Sequence, residues 1–419
     1  AAFISDLHHN IPPHAMQVVY RTYFLFLKYT FDRCLHISLF SAKLSSVTIS
    51  ERNTMITIKH PIDFPETYPL DRIGPKEQLL FFDIETTGFS GDTSQLYLIG
   101  CVYHDGFGWK LIQWFADTRQ AESELLDAFF VFIKRFKTLI HFNGDRFDIP
   151  YLEKCCRRLG LSHSFEGMES MDIYKKIRPY RKLLGLESMK QKAIEQFLGI
   201  SREDKYTGGQ LIEVYRDYLH THEKSLYDLL ILHNEDDLKG MPSILPILHY
   251  PDFFEGNMFL KSQQILTEVC NDGSKRHLLE LICQSPCAVP VPFSCCLEPV
   301  SCFVSQNQLT LEVTLFEGEL KNFYSNYQNY YYLPEEDQAV SKAEAVRYNQ
   351  SACVKATAKN CYTREQGVFL PQFTPVWEPA LKKERRDKCS YAALIDVCLQ
   401  NPDCLSAYLK QLLCCLGVK

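Results

Sequence analysis

Sustained patterning begins at Leu79. The run Leu79-Leu80-Phe81-Phe82 is apolar without a break and ends in Asp83-Ile84-Glu85, which reads as a buried strand with acids at its end. Segments 96–103 and 109–115 read as two more strands. His104-Asp105-Gly106 between them is a turn signal, so the three form an antiparallel meander. Leu125, Leu126, Phe129, Phe130 and Ile133 fall at helical spacing and predict a helix over 122–136. A fourth strand follows at 138–142, a turn at Asn143-Gly144-Asp145, a second helix over 149–159 and a short fifth strand at 170–173. Helices are then predicted at 186–198, 208–220 and 223–240. This order predicts an α/β domain over 79–250, a mixed five-stranded sheet flanked by helices.

The flanks are less regular. Residues 1–54 show neither helical nor strand periodicity and are expected to be a non-native or disordered extension upstream of Met55, with 55–78 as a lead-in. Beyond Tyr250-Pro251-Asp252 the pattern suggests a helical segment over 257–285. A Pro- and Cys-rich connection follows, then a strand at 308–316 and a final helix over 403–415. Residues 251–419 are therefore expected to be a mixed α+β region, of unknown function.

Composition narrows the class. The chain has 419 residues, and about 150 per domain allows two to three domains. A net charge of −6 excludes a globally basic nucleic-acid coat but leaves room for a local basic groove. With 46% hydrophobic and 23% charged residues, wholesale disorder is excluded. No apolar run reaches roughly 18 residues, so no membrane helix is expected. The 17 cysteines are odd in number and include three adjacent pairs, which suits reduced thiols in a cytoplasm better than a secreted disulfide framework. Cys283, Cys287, Cys295, Cys296 and Cys302 offer a metal-site alternative. No second clean pair completes a zinc ribbon, so buried thiols are the default reading.

Four acids carry the candidate chemistry. Asp83 and Glu85 sit two apart on a strand, so both carboxylates project from one face. Such a pair is costly without a cation between them, and directly after four apolar residues a buried acid needs a reason. Thr86-Thr87-Gly88 then closes the strand with a turn that lets backbone approach a ligand. Asp148 opens the second helix, where an acid also works as an N-terminal cap. His233 and Asp237 stand four apart on the last helix and share a face. Singly, each acid reads as a cap or solvated surface; the four in this order read as a site.

Asp83-x-Glu85, Asn143-x-x-x-Phe147-Asp148 and His233-x-x-x-Asp237 resemble the three motifs of the DEDD exonuclease superfamily, which has an RNase H-like fold. The phrases Leu-Phe-Phe-Asp-Ile-Glu-Thr-Thr-Gly (80–88), Leu-Ile-His-Phe-Asn-Gly (139–144), Phe-Asp-Ile-Pro-Tyr-Leu (147–152) and Gly-Leu-Glu-Ser-Met-Lys-Gln-Lys (185–192) resemble its YprB-like bacterial branch of ribonuclease H-like domain proteins. The likeness covers about 79–250. It implies a phosphodiester hydrolase, a 3′–5′ exonuclease in which Asp83, Glu85, Asp148 and Asp237 hold two divalent cations. Two ions roughly 4 Å apart clamp the attacking and leaving oxygens of an in-line displacement. Oxygen-only ligands suit Mg²⁺ or Mn²⁺. One departure stands out. The superfamily pairs its last Asp with a His and four intervening residues, or with a Tyr and three. Here His233 has three, and Leu238 stands where the His-type spacing needs an acid. His233 is thus a candidate base or an orienter of the water, and Asp236 a weaker candidate for the fourth ligand.

Substrate contacts are read around these acids. Residues 173–192 carry Lys175, Lys176, Arg178, Arg181, Lys182, Lys190 and Lys192 against the single acid Glu187, a local positive patch suited to phosphates or a plain solvated helix pair. Thr86, Thr87 and Asn143 are further candidate nucleic-acid contacts. Phe89 is placed either to stack on a terminal base or to join the core. The aromatic run Phe323, Tyr324, Tyr327, Tyr330, Tyr331 and Tyr332 suits a strand core or base stacking, and 382–388 a solvated linker. The expected function is a metal-dependent exonuclease acting on DNA or RNA, at single-stranded ends. The alternatives are a non-catalytic nucleic-acid-binding or scaffold protein on the same fold, and an RNase H-type endonuclease. Four acids favour catalysis, and their spacing favours the exonuclease.

Overall fold

The structure is a computed structural model and describes residues 55–201, 208–269 and 272–418. The expected extension over 1–54 lies outside them. Strands β1 (Met55–Pro61), β2 (Leu79–Thr86), β3 (Leu96–His104), β4 (Trp109–Ala116), β5 (Thr138–His141) and β6 (Glu169–Asp172) form one mixed sheet in the order β1-β4-β3-β2-β5-β6. β2, β3 and β4 are the expected antiparallel meander; β5 pairs parallel with β2, and β6 with β5. The sheet has a sixth strand beyond the five expected. β1, from the lead-in, runs antiparallel to β4, and among its residues Ile58 is the buried one, so its pattern is faint in the sequence.

Helices cover the sheet: α1 (Glu122–Ile133), α2 (Asp148–Leu159), α3 (Ile173–Ile177), α4 (Gln191–Phe197), α5 (Gly208–Thr221), α6 (Lys224–Ile244) and α7 (His249–Glu255). The helix expected over 186–198 starts only at Gln191, after Gly185 closes the preceding turn at a left-handed φ of 63° and with Lys190 still extended. Alternation along β2 sends Leu80, Phe82 and Ile84 into one core with Leu125, Phe129, Leu152 and Tyr215. Leu79 and Phe81 enter a second core with Ile173, Met241, Ile244 and Tyr250. Asp83 and Glu85 continue this second face, at the end of the strand. Burying each large apolar side chain contributes about 1.5–3 kcal/mol, so both faces of β2 are strongly specified. α6 straddles the two cores, with Leu230 in the first and Leu238, Met241 and Ile244 in the second. Its midpoint therefore crosses the carboxyl end of β2 and the neighbouring amino-terminal half of β3. Gly100 on β3 permits that approach, since a Cβ there would collide with Asn234 and Leu238.

The second core continues into the C-terminal half through Tyr250, Phe253, Leu279, Leu281 and Leu311. There β7 (Phe259–Val269), β8 (Lys275–Gln284), β9 (Phe293–Leu297), β10 (Val300–Ser305) and β11 (Gln308–Thr314) form an antiparallel sheet in the order β7-β8-β11-β10-β9. The helix expected over 257–285 is thus corrected to the β7–β8 hairpin. Leu279, Leu281 and Cys283 are buried at a period of two, and Gly273 turns the chain at φ 79°. The run Leu278 to Ile282 fits either period, and pairing against β11 selects the strand. Two three-stranded sheets follow, one of β12 (Phe316–Phe323), β16 (Tyr362–Gln372) and β17 (Ser390–Ala393), the other of β13 (Tyr330–Leu333), β14 (Gln338–Ser341) and β15 (Val354–Lys355). α8 (Pro402–Cys415) is the expected last helix. Within the aromatic run Tyr324 stacks on Tyr330 at 4.7 Å. Lys382 is bridged to Lys321 of β12 rather than lying in a free linker. Cys283 and Cys302 are buried in the second core. Among the described residues, no helix is long and apolar enough to cross a membrane.

Candidate active site

The acids arrive from three elements: Asp83 and Glu85 from the end of β2, Asp148 from the first residue of α2, and Asp237 from α6. Asn234 Nδ2 donates to Asp83 Oδ2 at 2.9 Å, and the Tyr97 hydroxyl donates to Glu85 Oε2 at 3.4 Å. His233 Nε2 lies 3.4 Å from Asp237 Oδ2 and 3.7 Å from Glu85 Oε1. Ligand atoms of Glu85, His233 and Asp237 all fall within 4.8 Å of one another, a set that contains Asp237 and not Asp236.

The electrostatics are those of carboxylates held together against their own repulsion. Burial pushes Asp83 well above its usual range, and the charges of Asp148, Glu85 and Asp237 add to it against the Asn234 hydrogen bond. Burial, then the Asp237 charge, pushes Glu85 up to about 8. Burial lifts Asp148 to about 7, partly offset by backbone N–H bonds from its own residue and Ile84. Buried oxygen donors of this kind fit a divalent cation, whose charge would offset their lost solvation and mutual repulsion. Asp83, Glu85, Asp148 and Asp237 are the residues that would hold it, with His233 at hand.

A supporting relay was not legible as such in the sequence. Asn234 is fully buried; its Oδ1 accepts from Gln113 Nε2 at 2.9 Å, and that nitrogen also donates to the Ile231 carbonyl at 3.0 Å. The signals were a glutamine inside the apolar strand Leu111-Ile112-Gln113-Trp114-Phe115, and a glycine inside β3.

A second cluster, His141, Asp145 and Asp172, is satisfied from within. Gly144 N–H donates to His141 Nδ1 at 3.0 Å, and Nε2 lies 2.9 Å from Ser170 Oγ. Asp172 accepts from the backbone of Asn143 and caps α3 through Lys175 N–H. This network fixes the turn that delivers Asp148. Burial lowers the His141 pKa against the pull of Asp172 and Asp145.

The candidate substrate contacts are distributed unevenly. Thr86 Oγ1 donates to the Gly88 carbonyl and Thr87 Oγ1 accepts from Gln95 N–H, both at 2.8 Å, so these hydroxyls hold the loop. Phe89 is 93% exposed, which removes the core alternative. Asn143 takes a left-handed φ of 65° beside a hollow of about 420 Å³ lined by Phe142, Tyr174, Met189, Lys190 and Gln191. Lys176, Arg178, Lys182, Lys190 and Lys192 are exposed. Lys175 is held by Asp145 at 2.8 Å, and Arg181 is spent on the Leu186 and Glu187 carbonyls.

Residues 80–248 match a family described as RNase_H superfamily, and this part of the chain is an RNase H-like domain. The DNA polymerase of Thermococcus kodakarensis is 31% identical over 130 residues, 27% of this chain and 8% of the polymerase. That of Pyrococcus glycovorans is 31% identical over 129 residues, 27% of this chain and 17% of the polymerase. The matched stretch is thus a small part of these relatives' length. Among solved structures, the family B DNA polymerase of Pyrobaculum calidifontis aligns over 61% of this chain and 35% of its own, at 13% identity and a TM-score of 0.35. Exonuclease I of E. coli in complex with an oligonucleotide aligns over 50% and 55%, at 12% identity and a TM-score of 0.28.

Proposed function

We propose that residues 79–250 form a metal-dependent nuclease, a DEDD-type 3′–5′ exonuclease that hydrolyses DNA or RNA from single-stranded ends and belongs with the YprB-like branch. The observation that carries this is the meeting of four carboxylates from β2, α2 and α6 at the carboxyl end of the interior strand β2, with His233 within 3.7 Å of two of them. The local identity to archaeal DNA polymerases points the same way.

When bound, two Mg²⁺ or Mn²⁺ ions supply charge neutralisation and Lewis acidity at the scissile phosphate. The chain's own residues do the rest. Asp83, Glu85, Asp148 and Asp237 hold the ions, with Asn234 and Tyr97 orienting the first two carboxylates. His233, as a neutral imidazole, accepts the proton of the attacking water, a step commonly worth about 10² to 10⁴ in rate. Phe89 stacks on a terminal base, while the basic residues of 173–192 and Asn143 hold the strand.

The test is hydrolysis of end-labelled linear and circular single-stranded DNA and RNA with Mg²⁺ or Mn²⁺. Mononucleotide release from linear substrate alone is expected. Cleavage of circles would point to the endonuclease, and binding without hydrolysis to the non-catalytic reading.

A further inference from the structure

We propose that an arginine-lined cavity on the Glu85 side of the carboxylates binds a backbone phosphate of the nucleic-acid strand, a proposal that rests on the nuclease reading. The cavity, about 430 Å³, opens between the loop after β2, the turn into α1, the end of α2 and the face of α5. Arg119, Arg158 and Arg216 line it from three separate elements, and Thr87, Gln95 and Tyr215 complete the wall.

Its acids are already engaged. Glu122 accepts the Leu96 N–H at 2.8 Å and Arg158 at 2.7 Å, and Asp92 lies 3.6 Å from Lys154. Arg216 pairs at 2.5 Å with Glu213, an exposed partner that a phosphate readily displaces. The Arg119 guanidinium makes no ion pair among the described residues. Guanidinium forks match phosphate oxygens in geometry as well as charge, so the cavity favours a phosphate over a neutral ligand.

The position puts this cavity on a strand's path. Thr87 is two residues beyond Glu85. Gln95 donates to the Tyr215 hydroxyl at 3.5 Å, Tyr215 stacks on Tyr97 at 4.2 Å, and Tyr97 donates to Glu85. The wall is therefore one aromatic layer from the carboxylates. The basic stretch 173–192 follows β6, on the opposite flank in sheet order. A strand crossing the carboxylates meets cations on both sides, which fixes its register over the acids.

Binding of a labelled single-stranded DNA in excess chelator, followed by anisotropy across a salt series, tests this without turnover. Each phosphate contact contributes a slope of about −0.7 in log affinity against log salt for single strands. Replacing Arg119→Ala and Arg216→Ala together should flatten the slope by about 0.7 to 1.4 and weaken binding severalfold, while Arg119→Lys with Arg216 intact keeps the slope. Both side chains are exposed, so the fold is not at stake. An unchanged slope in the double variant overturns the phosphate site and leaves the nuclease reading standing. Failure of the unaltered chain to bind either single-stranded DNA or RNA overturns both.

Discussion

Asp83 is aimed from behind by amides: Gln113 donates to Asn234, and Asn234 donates to Asp83. Asn234→Ala strands the Gln113 amide and the Asp83 carboxylate in a buried place, which should cost about 1–3 kcal/mol in chemical denaturation. Gly100→Ala acts on the same relay from the other side. Its methyl must displace Asn234 or Leu238, a crowding that costs about 1–3 kcal/mol, and Mn²⁺ affinity should fall with stability. Asp83, Glu85 and Asp148 have raised pKa values in the folded chain, so the metal-free fold binds more protons than the unfolded chain. Its stability should therefore fall as pH rises from about 4 through about 7 and about 8, where Asp148 and Glu85 give up their protons. In that metal-free state Asp83→Ala should raise the melting temperature at high pH, and saturating divalent cation should flatten the unaltered chain's profile. For His233, replacement by Ala should cut turnover by about 10² to 10⁴ and leave metal bound. An unaltered rate and pH profile in that variant would remove the base assignment.

The elements that hold this site differ in how openly the sequence announced them. β6 buries only Asp172, whereas β2 to β5, α1 and α2 follow from runs, turns and helical spacing that agree with their burial, since each has an apolar face to satisfy. β1 does not, because one buried residue, Ile58, carries its packing. Ile58→Ala should cost about 2–5 kcal/mol if β1 belongs to the sheet's cooperative unit. β1 is also tied to α6 by charge: His60 lies 3.4 Å from Glu235, which Lys239 also contacts. The Glu235 hydrogen bond raises the His60 pKa against its own burial. Burial alone would raise Glu235, but hydrogen bonds from His60 and Lys239 outweigh it and the net shift is down. The His60 contribution is present below its unfolded pKa of about 6.5 and is lost as pH rises through the folded value. The Glu235 contribution is lost only as pH falls through its own lowered value. His60→Ala should thus lower the melting temperature more at about pH 6 than at about pH 8. The β7–β8 hairpin shows the opposite difficulty to β1: its leucines were plain to see, but their period was set by β11, some thirty residues further along.

Across the whole molecule, two cores meet at β2 and α6, and the carboxylates sit where they meet. The second core runs on into the C-terminal sheet, so the RNase H-like domain and the β-rich half are packed through α7 and not merely joined. The acids were legible because their types and order are unusual on such elements. The relay behind them and the arginine cavity beside them were not, because Gln113, Asn234, Arg119 and Arg216 look ordinary until folding brings separate segments together. We propose that the four carboxylates gathered at the end of β2 hold cations for phosphodiester hydrolysis. Mononucleotide release from 3′-labelled single-stranded DNA and RNA with Mn²⁺, for the unaltered chain and for Asp83→Ala, tests it most directly. Release should stop in chelator and fall by about 10³ or more, on the order of 4 kcal/mol of lost transition-state stabilisation, in a variant that stays folded. Release that persists undiminished in chelator or in folded Asp83→Ala would contradict it.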